Sequence, residues 1–239
     1  MSEYSVSDSL AEVRSEIAEA CKRAGRNPAD VALIAVSKTK PVSMINEAME
    51  AGQTLFGENK VQEMCEKSVE LQDTGAVWHL IGHLQKNKVR KAVAVAAMIH
   101  SVDSLALAAE ISKEAARIGK VQDILLEVNV AEEDSKFGLS VAETPDVAKE
   151  IAKLPNLHLC GLMTVAPYTP VPEENRKYFS ALRQLAVDIA SQNIDNIDMC
   201  CLSMGMSNDY AIAIEEGATY VRVGSKIFGE RIYTTEGRV

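Results

Sequence analysis

Val31-Ala32-Leu33-Ile34-Ala35-Val36-Ser37, closed by Lys38, is the stretch on which the fold turns. It is apolar on both faces, the pattern of a parallel strand covered on each side by other elements. Further runs of this kind stand at Thr54–Phe56, Val77–Ile81, Met98–Val102, Ile124–Val130, Leu157–Thr164, Met199–Leu202 and Tyr220–Val223, making eight. The segments between them carry helical spacing and helical punctuation. Pro41 stands at a helix start and Gly52 just past its end. Ser104 predicts the cap of a helix running to Ile118, with Gly119 as its stop. Glu173–Ala190 carries Tyr178, Leu182, Leu185 and Ile189 at three- and four-residue spacings. An extra helix precedes the first strand, with Ser7 as its expected cap, a stripe of Leu10, Val13, Ile17 and Cys21, and an end at Gly25 and Asn27-Pro28.

Strict βα alternation with short connections implies right-handed crossovers and a parallel sheet. Eight units within 239 residues predict a closed (β/α)8 TIM barrel with an extra N-terminal helix. An open doubly wound sheet would have about five or six strands and a Gly-rich first turn. Here the first strand runs into Lys38-Thr39-Lys40-Pro41, which is neither Gly-x-Gly-x-x-Gly nor a Walker loop. The chain is therefore expected to be one domain over residues 1–239.

Composition narrows the partners. Apolar residues make up 47% and charged residues 25%, as in ordinary globular chains. Lys and Arg number 25 against 34 Asp and Glu, a net charge of −9. That balance argues against nucleic acid and anionic membranes, which need clustered cations, but leaves room for one small anion held by local amides. No apolar run approaches the roughly 18 residues of a membrane span. Met1-Ser2-Glu3-Tyr4 has neither the basic nor the apolar part of a signal peptide. Five cysteines without a Cys-x-x-Cys pair fit a reducing cytoplasm, with Cys200 and Cys201 read as small hydrophobes in an apolar run. No long apolar patch is evident, so a monomer is expected.

In a barrel, chemistry sits at the C-terminal ends of the strands. These ends include Ser37-Lys38, Gly57-Glu58-Asn59, Gly82-His83, Ser203 to Ser207 and Arg222-Val223-Gly224-Ser225. Lys38 shares strand parity with Ile34 and Val36, and two fates are open to it. It either snorkels to water or stands at the barrel mouth over an apolar floor, where desolvation favours the neutral, nucleophilic amine. The Ser203–Ser207 loop and Gly224-Ser225, on the last two strands, fit a barrel phosphate site made by close backbone amides, although ordinary helix capping uses the same residues. Ser207-Asn208-Asp209 is expected to open a helix to Glu216, and Gly224-Ser225 a short one toward Gly229. Amine plus phosphate cradle points to a phosphorylated aldehyde, and pyridoxal 5′-phosphate is the obvious one.

Other features carry less. His79 and His83 are four apart, but on a strand that spacing forms no metal pair, and no third ligand is near, so no metal is expected. Lys86-Asn87-Lys88-Val89-Arg90-Lys91 reads as a solvated helix face. Met204 and Met206 read as packing around a ligand mouth. Lys136 sits in a loop, Glu132 to Gly138, with the makings of a lid.

The chain resembles the pyridoxal-phosphate homeostasis protein family, a single-domain relative of the alanine racemase barrel. The resemblance rests on Ala35-Val36-Ser37-Lys38, Phe56-Gly57-Glu58-Asn59, Trp78 to Lys88, Ser135-Lys136-Phe137-Gly138, Gly161-Leu162-Met163-Thr164, Leu202 to Ser207 and Val221 to Gly229. It implies that Lys38 carries pyridoxal 5′-phosphate as a Schiff base. By the same resemblance Ser203, Ser207, Gly224 and Ser225 hold the phosphate, with either serine fitting, and Arg222 faces the pyridine nitrogen. His83 would lie beside the ring and Asn59 at its O3′ edge. An arginine does not give its proton to the ring, which makes the cofactor a poor electron sink and suits storage.

The implied function is reversible holding of the cofactor, buffering of its aldehyde and delivery to apo-enzymes, without strong catalysis. The alternative is an amino-acid racemase-type enzyme, which needs two bases on opposite faces of the cofactor. In the racemases the second base is a tyrosine of an added β-domain, for which the chain beyond Gly229 is expected to be too short. Tyr168, Tyr210 and Tyr233 are the candidates to stand in. A Schiff-base aldolase acting on phosphorylated sugars is a third option, expected to be colourless.

Overall fold

A computed structural model describes residues 5–133 and 137–230. Lys136 and Tyr233 lie outside them. The eight strands are β1 (Ala32–Val36), β2 (Leu55–Glu58), β3 (Val77–Leu80), β4 (Met98–Val102), β5 (Gln122–Glu127), β6 (Leu157–Met163), β7 (Ile197–Met206) and β8 (Tyr220–Val223). They pair in chain order, every pair parallel, and β8 closes back on β1 through Ala32–Tyr220 and Ile34–Arg222 neighbours. This is the expected (β/α)8 barrel.

The helices are α1 (Val6–Arg23), α2 (Val42–Glu50), α3 (Val61–Glu70), α4 (Val89–Val95), α5 (Leu105–Arg117), α6 (Thr144–Ala152), α7 (Arg176–Ala190), α8 (Tyr210–Glu215) and α9 (Ser225–Phe228). Helix α1 is the extra N-terminal element. Its stripe of Leu10, Val13, Ile17 and Cys21 is buried, and it packs on α2, α8 and α9. Ser104 caps α5 as expected, accepting from the Leu107 N–H.

Several boundaries differ from the sequence reading. The cap of α1 is Ser5 and not Ser7, because the Ser5 hydroxyl accepts the Asp8 N–H at 3.1 Å. Strand β2 runs two residues beyond Phe56 and so takes in Glu58. Strand β7 runs to Met206, four residues beyond Leu202, so Ser203 is a strand residue. The helix expected from Glu173 begins with a 3-10 turn, Pro172–Asn175, and becomes α-helical at Arg176. Asp209 is the N-cap of α8, so Ser207-Asn208 lie ahead of that helix.

Alternate residues of each strand face the helices or the lumen. Leu33 and Ala35 of β1 pack outward, together with Phe56, Trp78, Leu80 and Ile99. Burying the larger of these side chains contributes about 1.5–3 kcal/mol each. Met98, Leu125, Cys160 and Met163 form a second cluster with Val165, Cys201 and Tyr220, which fills the lumen. Gly161 permits the β6–β7 closure: its φ is +156°, and a Cβ there would lie 1.9 Å from the Cys201 carbonyl oxygen.

Candidate functional site

At the C-terminal ends of the strands a cavity of about 460 Å³ opens between β1, β2, β3, β7 and β8. Lys38, Asn59, Ser207, Arg222, Gly224 and Ser225 line it, with Val36, Ile81 and Met206 as apolar walls. A wider groove, about 910 Å³, lies along Pro167 to Tyr178 and Glu216. It is shallow, and its Arg176 is engaged by Glu173, Glu215 and Glu216, so the chemistry belongs to the smaller cavity.

Lys38 stands in a tight turn in which the Lys40 N–H donates to the Ser37 carbonyl at 3.0 Å. Thr39, next in the chain, has a φ of +64°, a conformation costly for a β-branched residue, of order 1–3 kcal/mol. Its surroundings hold it there. The Thr39 N–H donates to Glu63 Oε1 at 2.6 Å, and the buried Lys67 Nζ donates to Glu63 Oε1, Glu58 Oε1 and the Ser37 carbonyl, each at 2.7 Å. The Ser37 hydroxyl donates to the same Glu58 oxygen. Burial pushes the Glu58 carboxyl up, opposed by Lys67 and Ser37, and its Oε2 has no partner among the described residues. The turn that presents Lys38 is thus clamped from behind by a buried ion network. Asn59 reaches the cavity because Gly82 leaves room: a Cβ at Gly82 would lie 2.5 Å from the Asn59 carbonyl oxygen.

Arg222 forms the floor. It is 4% exposed, donates from one amino group to Ser203 Oγ at 2.7 Å and from the other to the Thr164 carbonyl at 2.8 Å. Ser203 Oγ is 2.9 Å from His100 Nδ1, and His100 Nε2 is 2.9 Å from His79 Nδ1. An arginine can only donate, so the chain has a natural polarity, Arg222 to Ser203 to His100 to His79, with both imidazoles neutral. Burial supports that state. It pulls His79 down to about 4 against Asp123, and together with His79 and Arg222 it drives His100 well below the usual imidazole range. Burial also lowers Arg222 to about 10, opposed by Glu127 and Asp209, which leaves it cationic at neutral pH. Glu127 is pushed up to about 7 by burial and Asp103, with Arg222 pulling the other way. The opposite rim is firm. Ser207 Oγ accepts the Gly224 N–H at 3.2 Å, and Asp209 accepts from the Met206 N–H and from Asn175.

Six of the eight residues singled out from sequence line this one cavity. Ser203 lies beneath it, fully buried, its hydroxyl engaged by Arg222 and His100. His83 lies outside the lining, stacked on Phe137 at 3.9 Å between ring centroids, with Nδ1 3.2 Å from Asp103. His79 faces the lumen and does not meet His83. Met206 lines the cavity, whereas Met204 packs outward in the helix-facing core. Of the tyrosines, Tyr168 lines the cavity, while the Tyr210 hydroxyl is tied to Glu16. The basic run carries Lys86, Arg90 and Lys91 exposed. Sequence reasoning passed over Glu58, Lys67, His100 and Glu127. Glu58 stood inside a quoted motif, whereas Lys67, whose spacing to Glu63 is that of an ordinary surface i,i+4 pair, also reaches Glu58 and the Ser37 carbonyl nine and thirty residues back.

Among the described residues, no helix is long and apolar enough to cross a membrane. A family model described as "Alanine racemase, N-terminal domain" matches residues 9–232. The pyridoxal phosphate homeostasis protein of Aquifex aeolicus is 43% identical over 224 residues, 94% of this chain and 97% of the relative. PipY of Synechococcus elongatus, solved with PLP bound, is 37% identical with a TM-score of 0.82, over 94% of this chain and all of that one. An alanine racemase of Clostridium difficile, 14% identical with a TM-score of 0.71, covers 94% of this chain and is itself covered for 57%, which shows a shared fold. The chain belongs to the pyridoxal phosphate homeostasis protein family, built on the alanine racemase N-terminal barrel.

Proposed function

We propose that this protein holds pyridoxal 5′-phosphate reversibly and serves its homeostasis in the cytoplasm, buffering the cofactor and passing it to apo-enzymes. The observation that carries this is the meeting of the Lys38 amine, the Ser207/Gly224/Ser225 rim and the Arg222 guanidinium around one cavity of about 460 Å³. Small-molecule sites typically run from about 300 to 1,000 Å³. Bound there, the cofactor would supply an aldehyde, and Lys38 would be the amine that holds it. Ser207 and the amides of Gly224 and Ser225 take the phosphate, and Ser203 serves by fixing Arg222. Asn59 would border the ring edge, and His83, stacked on Phe137 outside the cavity lining, would flank it. Arg222, cationic and pinned, would present positive charge toward the ring nitrogen and lend it no proton. That arrangement suits storage over carbanion chemistry. The residues lining the cavity all come from one barrel, which supports a single domain over residues 1–239.

The absorbance spectrum of the purified protein tests this. A band near the violet edge of the visible, lost in Lys38→Ala and shifted by borohydride, is the expected result. A protein that stays colourless with added cofactor refutes it.

One observation favours a second reading. Tyr168 lines the same cavity as Lys38, so a racemase-type base is available. Loss of optical activity of alanine, compared with and without the protein, separates the two: turnover like that of a dedicated racemase would make it an enzyme.

A further inference from the structure

The end of the barrel opposite the cavity holds a second cluster of chemistry-bearing groups. We propose that Asp123, His158 and Cys160 form a site for a thiophilic divalent cation of the zinc class. Asp123 on β5 and His158 on β6 are direct neighbours across the strand pair, and Cys160 follows two residues on, on the same lumen-facing side. The carboxylate oxygen, imidazole nitrogen and thiol sulfur all lie within 4.8 Å of one another. His158 Nδ1 is 3.0 Å from Asp123 Oδ1 and 3.4 Å from Cys160 Sγ. Zinc bonds of about 2.0–2.3 Å at tetrahedral angles separate neighbouring donors by about 3.3–3.5 Å, close to these edges.

The surroundings favour a ligand set over a plain ion pair. His158 Nε2 lies 2.9 Å from Asp198 Oδ2, so a second carboxylate orients the ring from its far side, as beyond many zinc-bound histidines. An imidazole held between two carboxylates accounts for Asp123 and Asp198. The Cys160 sulfur, buried in the lumen cluster and 3.6 Å from the His158 carbonyl, converges on the same nitrogen that faces the Asp123 oxygen. Two further thiols stand on β7: Cys200 and Cys201 have sulfurs 3.6 Å apart, and Cys200 Sγ lies 3.7 Å from the Cys160 carbonyl. The Asp123 and His158 side chains are 46% and 34% exposed, so a cation can enter from solvent and keep an open position for water or a β7 thiol. Binding displaces the Nδ1 and thiol protons to solvent. No sequence spacing could show this site, because Asp123 and His158 are 35 residues apart and meet only through barrel register.

The probe is cobalt(II) titrated into metal-free, full-length protein, with zinc(II) as competitor. The expected result is uptake of one ion per chain with a thiolate-to-cobalt charge-transfer band, displaced by zinc. The band should vanish in Cys160→Ser and in Cys160→Ala. Affinity should fall at least tenfold in His158→Asn and about tenfold in Asp198→Asn. Cys21→Ser and Cys65→Ser should leave it unchanged. Circular dichroism and the cofactor absorbance, read on the same variants, establish that each has folded and separate this outcome from that for Lys38. Absence of uptake at micromolar cobalt overturns the proposal. So does a band that survives Cys160→Ser and disappears in Cys200→Ser or Cys201→Ser, which would give the metal to the adjacent thiols instead.

Discussion

Behind Lys38, a carboxylate and an ammonium are buried against each other; beneath Arg222, two neutral imidazoles are buried in a row. The Glu58–Lys67 pair closes its charges on itself and spends its remaining donors on the Ser37 carbonyl and Glu63, which fixes backbone. The Arg222–Ser203–His100–His79 chain does the reverse. It supplies acceptors and no countercharge, so the guanidinium is held in place while its charge stays directed at the cavity. One network therefore fixes the turn that carries Lys38, and the other maintains a cation.

The sharpest way to break that contrast is Lys67→Met. It strands the buried Glu58, and removing one partner of a buried pair costs about 3–5 kcal/mol. In a chain of this size the thermal midpoint should drop by roughly 10 °C. A change within about 1 kcal/mol would mean that the clamp is not needed to hold the turn.

Next in size is the response to pH, where the two sides of the lumen oppose each other. Glu127 has its folded pKa raised from 4.5 to about 7, so its contribution is complete below pH 4.5 and is lost as pH rises toward 7, about 3 kcal/mol in all. His79 is lowered from 6.5 to about 4, so its contribution is present above pH 6.5 and is lost as pH falls toward 4. His100 shares the sign of His79. Urea midpoints measured from pH 4 to 8 should show Glu127→Gln steepening the loss on acidification and gaining stability near pH 8. Parallel profiles for the variant and the parent would contradict the burial of that carboxyl.

The smallest contrast lies between two serines of one strand end. Ser203→Ala removes the acceptor of Arg222 and a partner of His100, and should cost about 1–3 kcal/mol in denaturant unfolding. Ser207→Ala should change stability by less than about 0.5 kcal/mol while weakening cofactor retention several-fold in dialysis. If the two variants behave alike, the division between supporting and binding serine is wrong.

Much of the barrel was legible because strand burial and helix punctuation are local. Val31 to Ser37, the cap at Ser104 and the Gly224-Ser225 corner each carry their signal within a few residues. The two candidate serines could not be told apart from sequence, because the partners that bury Ser203, His100 and Arg222, lie 103 and 19 residues away in the chain. The α1 cap was misplaced by two residues, since Ser5 and Ser7 both suit that role and the Asp8 amide decides between them. Lys67 was invisible because a lysine on an amphipathic helix reads as solvent-facing, and only the turn of β2 into α3 brings it over Glu58. His83 stands at a strand end where the resemblance puts it beside the ring, and its stacking on Phe137 and contact with Asp103 join residues too far apart in the chain for local spacing to show.

The covalent role proposed for Lys38 is tested most directly by borohydride reduction of the cofactor-loaded protein, followed by proteolysis and mass mapping. A pyridoxyl-phosphate mass on the peptide carrying Lys38, at one per chain, is the predicted result. The label on another lysine peptide, or none on Lys38 in a coloured protein, would contradict it.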